Sequence, residues 1–488
     1  MAGPPAVVTT AIWGSEVPGR RMQEKDLRGR AVLCGVWLSL LGVVPAAHAG
    51  LQVQDLRVQE LPSENPADPL RSFDPPAAGK PEHDGNPAVE LAWQEAVRIA
   101  VSRHPTVLAA QASVLQQSSL IDAALAGYRP RVQTELTAGE QGEFGTGQVA
   151  SVGLSQMLYD FGKTSSAVER ERAGERREQA GLLQAVDEVL EGTVQALIEI
   201  HRHEALRGLL QEQLESLGRI VEITELRAEA GAATRSDPLQ ARSRVDAVRG
   251  RLLAVDSQLR QWRTRLATYV GGRASAPVGD APEGVLHWVS TDSDIERLPA
   301  LMMALAQREA ADAELRNARA QRYPTVALEA NANRRLGQAG DRYEEMYGRN
   351  SYTTTFLSVR GSLYEGGEIS ARGRAAAKAV EAAEARVQAE RLAALDDLHS
   401  HREQIAGLER RLGVLQQRVS SIVETRDLYW EQYLGLGSRN VLDLLNAEQE
   451  IGQSREELEN ARHDLWLAQL GHLLSAGRAR QAFGLEAP

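Results

Sequence analysis

Two carboxylates are the residues best suited to act on solutes: Asp237 and Asp443, each six residues beyond a glycine, Gly231 and Gly437. Each stands near a predicted helix start, where a carboxylate caps the first turn. Repeated around a symmetry axis, the same carboxylates would form rings that attract cations and can hold multivalent ones. The histidines offer less. His201/His203 and His399/His401 are spaced i, i+2, which on a helix turns them to different faces and does not suit a shared metal. His203-Glu204 has no second His four residues on, so it is not a zincin helix. Gly435-Leu436-Gly437 follows no predicted strand and reads as a helix-ending turn. No Gly-x-Ser-x-Gly occurs, and no enzyme signature emerges. No cofactor or metal ligand set is expected.

Positioning these residues is the task of a duplicated plan. His104-Pro105 aligns with Leu298-Pro299, and Tyr128-Arg129-Pro130-Arg131-Val132 with Arg322-Tyr323-Pro324-Thr325-Val326. Leu158-Tyr159-Asp160 aligns with Leu363-Tyr364-Glu365, and Gly162 and Gly367 follow. The pair Gly231 and Asp237 aligns with Gly437 and Asp443, and Ala241 with Ala447. Each copy predicts a moderate helix (92–127 and 294–322), two strands, a very long helix (163–230 and 368–434) and a returning helix (238–270 and 440–476). A proline near the start of each moderate helix is tolerated in a first turn.

The strands alternate with period two. Val132, Thr134, Leu136 and Ala138 oppose Arg131, Gln133, Glu135 and Thr137; Val326, Leu328, Ala330 and Ala332 oppose Thr325, Ala327, Glu329, Asn331 and Asn333. Over 352–364, Leu357, Val359 and Leu363 oppose Ser358, Arg360 and Ser362, and over 148–159 Val152, Leu154 and Leu158 share a face. An apolar face backed by a polar one suits a barrel with lipid outside and water inside, and predicts Val132, Leu136, Leu328, Leu357 and Val359 as lipid-facing. The long helices carry heptads. Ile405, Leu408, Leu412, Leu415, Val419 and Ile422 lead into Arg426, Tyr429 and Tyr433, and Leu210, Leu214, Leu217 and Val221 match them in the first copy. That period predicts left-handed coiled packing. A helix of about 68 residues spans about 100 Å, more than any membrane, so it must project into water.

Composition narrows the class. The 488 residues are 25% charged and only 5% aromatic, as in a helix-rich coiled chain. Lys25, Arg28 and Arg30, the apolar run Ala31–Val44 and Ala47-His48-Ala49 read as a signal peptide over 1–49. A start at Met22 gives that signal an ordinary length. The one cysteine, Cys34, lies inside the apolar run, so the mature chain is expected to carry neither disulfide nor lipid anchor on Cys. Cleavage removes five basic and three acidic residues from a chain of net charge −11, which argues against a nucleic-acid partner. No other stretch is apolar enough for a spanning helix, leaving a barrel as the way into a bilayer. Residues 50–88, rich in Pro, Asp and Gly, are expected to be disordered. The first repeat is read as 89–290, the second as 291–476, and 477–488 as a C-terminal tail.

The duplicated plan and its two tips, Arg227 to Asp237 and Tyr433 to Asp443, resemble the TolC family of outer-membrane channels over about residues 90–476. The resemblance implies a mainly α fold with a small β part: a trimeric α-barrel of long helices on a twelve-stranded barrel, four strands from each protomer. Four strands cannot close a barrel alone, since about eight is the minimum and lipid tolerates no open edge, so copies must combine. That argument leaves two, three or four copies open; the resemblance gives a homotrimer. It further implies outer-membrane lipid around the barrel, a periplasmic adaptor protein and an inner-membrane ABC transporter as partners. Absence of a lipidated cysteine is similar to the type I secretion branch, whose cargo is an unfolded protein such as a calcium-binding repeat toxin. An efflux duct for small molecules or metals is the alternative, and a non-channel periplasmic scaffold a second one. On the same grounds Asp443 lines the mouth and Arg439 holds it shut near Asp237. Asn446 stands where a second acidic ring is usual, and Leu434 where a tyrosine is usual, with Tyr433 beside it. Gly231 and Gly437 form the turns that meet the adaptor.

Overall fold

Leucine- and alanine-rich runs and alternating strands give the architecture its two materials. The computed structural model describes residues 92–140, 146–271, 295–336, 351–436 and 439–485. Residues 1–49, read as a signal peptide, the segment 50–88, both hairpin loops and Gly437 lie outside them. The described residues belong to one unit, Gly85–Pro488. In chain order they form α1 (Trp93–Arg103), α2 (Pro105–Leu125), β1 (Arg131–Glu140), β2 (Thr146–Tyr159), α3 (Lys163–Glu229) and α4 (Ser236–Val270). The second half repeats this with α5 (Pro299–Ala320), β3 (Thr325–Leu336), β4 (Ser351–Arg360), α6 (Glu368–Glu431) and α7 (Val441–Ser475). A short α8 (Ala479–Ala482) follows.

The duplication is physical. α4 and α7 are both 35 residues long. Gly162 and Gly367 precede the two long helices with φ of 95° and 89°, a left-handed conformation that glycine adopts without penalty. Ser165 and Ser370 hydrogen-bond to the carbonyls of those glycines. The moderate first helix is split, because His104 is extended and Pro105 opens α2 as its first residue.

The four strands form one antiparallel sheet in the order β1-β2-β3-β4, so the two halves join through β2 and β3. Its register aligns Val132 with Leu154, Leu136 with Ala150, Leu154 with Ala330, Leu328 with Leu357 and Val326 with Val359. The expected apolar face therefore runs across all four strands. Two readings are corrected. β2 bulges between Met157 and Tyr159, so Leu158 is the extra residue and Tyr159 pairs with Val326 on the apolar side. Leu363 lies beyond β4, which ends at Arg360, and so belongs to neither face of the sheet.

The helical packing has a change of period inside α6. Ala376, Val387 and Leu398 are buried at eleven-residue steps, as are Ala383, Ala394 and Ile405. Below Ile405 the predicted heptads hold, with Ile405 and Leu415 buried and Leu408, Leu412, Val419 and Ile422 half-buried. An eleven-residue repeat favours slightly right-handed winding and a seven-residue repeat left-handed winding, so the winding that the burial pattern favours changes at Ile405. In α3 the buried seam is Leu206, Leu210, Gln213, Leu217, Ile220 and Thr224. Leu214 and Val221, expected in that seam, flank it instead, and two polar residues occupy it.

Two cores result. One gathers Trp93, Leu190, Leu197, Ile200, Leu266, Leu473 and Phe483 where α1 and the ends of α4 and α7 meet the middle of α3. The segment read as a tail thus docks: Phe483 is fully buried and Arg480 binds Asp187. The other core lies near the tips and includes Leu210, Leu217, Val248, Tyr433, Val441 and Leu445.

Candidate functional site

Candidate functional residues fall at the two ends of the long helices. At the tip, Gly231 takes φ 74° as the chain leaves α3. Asp237 sits in the first turn of α4, and its carboxylate accepts from the Thr234 backbone N–H at 3.3 Å and the Thr234 hydroxyl at 2.6 Å. In the second tip Asn440 is the cap, accepting from the Leu442 N–H at 3.2 Å. That leaves Asp443 free of the capping role, although it stands in the first turn of α7. Arg439 donates to Asp443 at 3.3 Å and to Gln432 at 2.9 Å, and lies 4.4 Å from the Tyr429 ring centre. Within one protomer, then, Arg439 is turned to its own helix pair. Asn446 is exposed and accepts from Arg244 at 3.4 Å.

A π-helical turn, Gln432–Leu436, ends α6 and decides which aromatic enters the core. Tyr433 is buried and Leu434 exposed. Arg227 from the first tip lies 4.5 Å from the Tyr433 ring centre and donates to its carbonyl at 2.9 Å, tying the two tips together. Burial pushes the Tyr433 phenol up.

Above the tips lies a polar cluster that apolar heptad reading cannot find. Glu448 of α7 is buried, and its carboxylate accepts from Ser216 of α3 at 2.8 Å and Arg426 of α6 at 2.9 Å. Gln213 donates to the Glu448 carbonyl at 3.3 Å. Three helices are thereby joined by one side chain. Further up, His201 and His463 approach to 3.0 Å, while His203 turns to the Glu199 carbonyl at 2.6 Å. The i, i+2 pair thus serves different faces. Among the described residues no group of three or more potential ligands is arranged to hold a metal.

At the opposite end, Val132, Leu136, Leu357 and Val359 are between 61% and 67% exposed and share one face of the sheet, with Leu328 paired to Leu357. The other face carries Arg131, Glu135, Glu329, Asn331, Asn333 and Arg360. A large exposed apolar face on an otherwise polar chain requires a nonaqueous neighbour. Among the described residues no helix is long and apolar enough to cross a membrane, so the sheet is the element fit to enter lipid.

The model of the outer membrane efflux protein family matches residues 96–272 and again 292–471, one match for each structural half. The chain is a member of the outer membrane efflux protein family. Solved channels of similar fold include VceC of Vibrio cholerae, with 19% identity, a TM-score of 0.68 and coverage of 79% of this chain and 96% of that one. The open state of the MtrE channel of Neisseria gonorrhoeae gives 17%, 0.64, 81% and 90%. Among curated relatives, the pyoverdine export outer membrane protein OpmQ of Pseudomonas aeruginosa is 25% identical over 270 residues, 54% of this chain and 56% of that protein. The chain therefore matches little more than half the length of that relative. The efflux protein BepC of Brucella suis is 23% identical, covering 75% and 81%, and CyaE of Bordetella pertussis 25%, covering 70% and 72%.

As an outer membrane efflux protein, the chain has the fold of the solved outer-membrane channels, mostly helical with a small antiparallel sheet, and those neighbours are trimeric channels with a periplasmic helical tunnel. Its place is the outer membrane. The exposed leucines and valines on one face and the charged residues on the other are the two faces that a membrane barrel requires.

Proposed function

We propose that this family member is the outer-membrane outlet of a three-part exporter, fed through a periplasmic adaptor by an inner-membrane ABC transporter, and that its cargo is an unfolded protein. The observation that carries the outlet reading is the two-faced four-stranded sheet, which only copies can close, mounted on helices about 100 Å long. Location of the sole cysteine within the apolar run, rather than after it, supports the protein-export branch. A second reading has its own support: a relative is named for export of pyoverdine, a small molecule.

The mouth is formed by the tips. Asp443 supplies a carboxylate ring when three copies meet, and exposed Asn446 adds polarity without charge. Arg439, bound to its own helix pair, exchanges partners toward the Asp237 tip of a neighbour to hold the mouth closed. Gly231 and Gly437 give the turns on which the adaptor seats. Deleting the gene and comparing secreted proteins with retained small solutes separates the readings. Loss of one large protein from the medium, restored by the intact gene, is the expected result; an unchanged set of secreted proteins with accumulation of a small solute overturns protein cargo in favour of efflux.

A further inference from the structure

The polar face of the sheet is not uniformly polar. Where the strands meet the helices, a cavity is lined by Arg129, Arg131, Lys163 and Arg360, against two carboxylates, Asp160 and Glu329. Neither carboxylate is free. Asp160 accepts from the Gly162 N–H at 3.0 Å and the Thr164 N–H at 2.6 Å, serving as a cap for α3. Glu329 is held by Arg360 at 3.0 Å. Lys163 donates to the Thr325 hydroxyl at 3.1 Å, and its charge also acts on Asp160. Arg129 and Arg131 are exposed. The register sets Arg131 beside Ser155 and Ser155 beside Glu329, and Thr325 beside Arg360, so these side chains share the water-facing side. The next carboxylate on this face, Glu135, is four residues up β1, about 13 Å away at strand rise and beyond a Debye length of about 8 Å in physiological salt.

We infer that this neck is an anion-attracting collar, which draws carboxylate- or phosphate-bearing cargo from the tunnel into the barrel. The inference rests on the channel reading. Each protomer contributes two positive charges in excess, and the threefold fold repeats them around one opening. One-sign clefts with low-dielectric walls concentrate counter-ions, and rings of Arg and Lys select anions in pores. The conduit then carries opposite charge at its two ends, acidic at the Asp443 mouth and basic at the neck. Entry favours cations while passage into the barrel favours anions, a combination suited to cargo bearing both signs.

The test is the reversal potential of the purified full-length channel in planar bilayers under a potassium chloride gradient, repeated in potassium phosphate. The variants are Arg131→Gln with Arg360→Gln, Arg129→Gln alone, and Arg131→Lys. Because the mouth is common to all, differences report the neck. The double variant is expected to lower anion-to-cation permeability about threefold, the Boltzmann factor for one kT of a surface potential that commonly reaches several kT. Arg129→Gln, on an exposed side chain, should lower it by less, and Arg131→Lys should retain it. If the double variant fails to assemble, Arg129→Gln decides the matter. Unchanged selectivity in conducting variants overturns the collar and leaves the channel reading intact. Absence of conductance from the unmodified protein overturns both.

Discussion

The two long helices repeat one sequence plan in two environments. α3 buries a continuous run through its middle, including Leu190, Val194, Leu197, Ile198 and Ile200, and packs on both halves of the chain. α6 buries far fewer residues, Ala376, Ala383, Val387, Ala394, Leu398, Ile405 and Leu415, and leaves Leu392, Val414 and Leu428 more than half exposed. Duplication thus made one helix the spine of the protomer and the other its edge. Leucines exposed along an edge helix are what a neighbouring copy would cover. The difference teaches that duplicated helices need not share a role: α3 is the element on which both halves of the chain pack, and α6 keeps a face open.

The sharpest way to break the comparison is to place one charge in each helix. Leu197→Asp puts an unpaired carboxylate into the core, where even Leu→Ala costs about 2 to 5 kcal/mol. It should abolish the helical fold. Leu392→Asp touches no core, so circular dichroism should show unchanged helix content while crosslinking shows loss of trimer. Trimers in both variants, or in neither with equal unfolding, would remove the distinction between spine and edge.

Glu448 tests the link between the two helices, since it binds α3 through Ser216 and α6 through Arg426. Breaking a buried pair typically costs about 3 to 5 kcal/mol. Here that is an upper bound, because Arg426 also binds Asp427 at 2.6 Å and is partly exposed. Glu448→Ala should lower the unfolding midpoint and loosen α6 first, read as faster amide exchange in α6 than in α3. Glu448→Gln, which keeps an acceptor for Ser216, should lie between. Equal loosening of both helices would show that Glu448 acts as general packing.

A smaller effect comes from pH. His463 on α7 donates from Nδ1 to the Glu459 carbonyl at 2.8 Å, so its Nε2 accepts from His201 of α3. Burial, aided by the charges of His201, Arg202 and Arg462, lowers its pKa from 6.5 to about 4. Between those values the unfolded chain takes up a proton that the folded one refuses, so stability is full above pH 6.5 and is lost as pH falls towards 4. Asp187, pushed up to about 6 by burial against its Arg480 partner, works in the opposite sense over part of that range. The measurement is therefore a difference: His463→Gln should flatten the dependence of the melting temperature on pH between 6.5 and 4. An unaltered slope would free His463 from that role.

Much of this was legible in the sequence, for identifiable reasons. Gly162 and Gly367 marked the long-helix starts because only glycine takes that backbone cheaply. Val132, Leu136, Leu328, Leu357 and Val359 lay on one face because parity along a strand is unambiguous. Parity failed at Leu158, where a bulge inserts a residue that alternation cannot announce. Gln213, Thr224 and Glu448 were missed because a heptad search seeks apolar residues, whereas a buried polar residue needs its partners from other helices to be recognised. Docking of Arg480 and Phe483 was hidden by the distance in sequence to Asp187. The contrast between α3 and α6 was invisible because both helices carry the same apolar periodicity, which fits a core and an edge alike.

The smallest expected effect lies at the second tip. Arg439 is paired with Asp443 and Gln432 at the surface, and a surface ion pair contributes about 0 to 1 kcal/mol. Arg439→Ser should therefore leave the melting temperature and trimer yield unchanged. Its effect is on a two-state mouth, where even a small difference between closed and open forms shifts the populations, and three copies multiply it. Single-channel conductance should rise. Asp443→Asn should instead reduce cation preference, because it removes a carboxylate ring and retains the side-chain shape. The first tip supplies the control: Asp237→Asn disturbs the hydrogen bonds that Thr234 donates to it at the start of α4 and should act on stability before it acts on selectivity. Conductance and selectivity unchanged by Arg439→Ser and Asp443→Asn would make the second tip a structural turn.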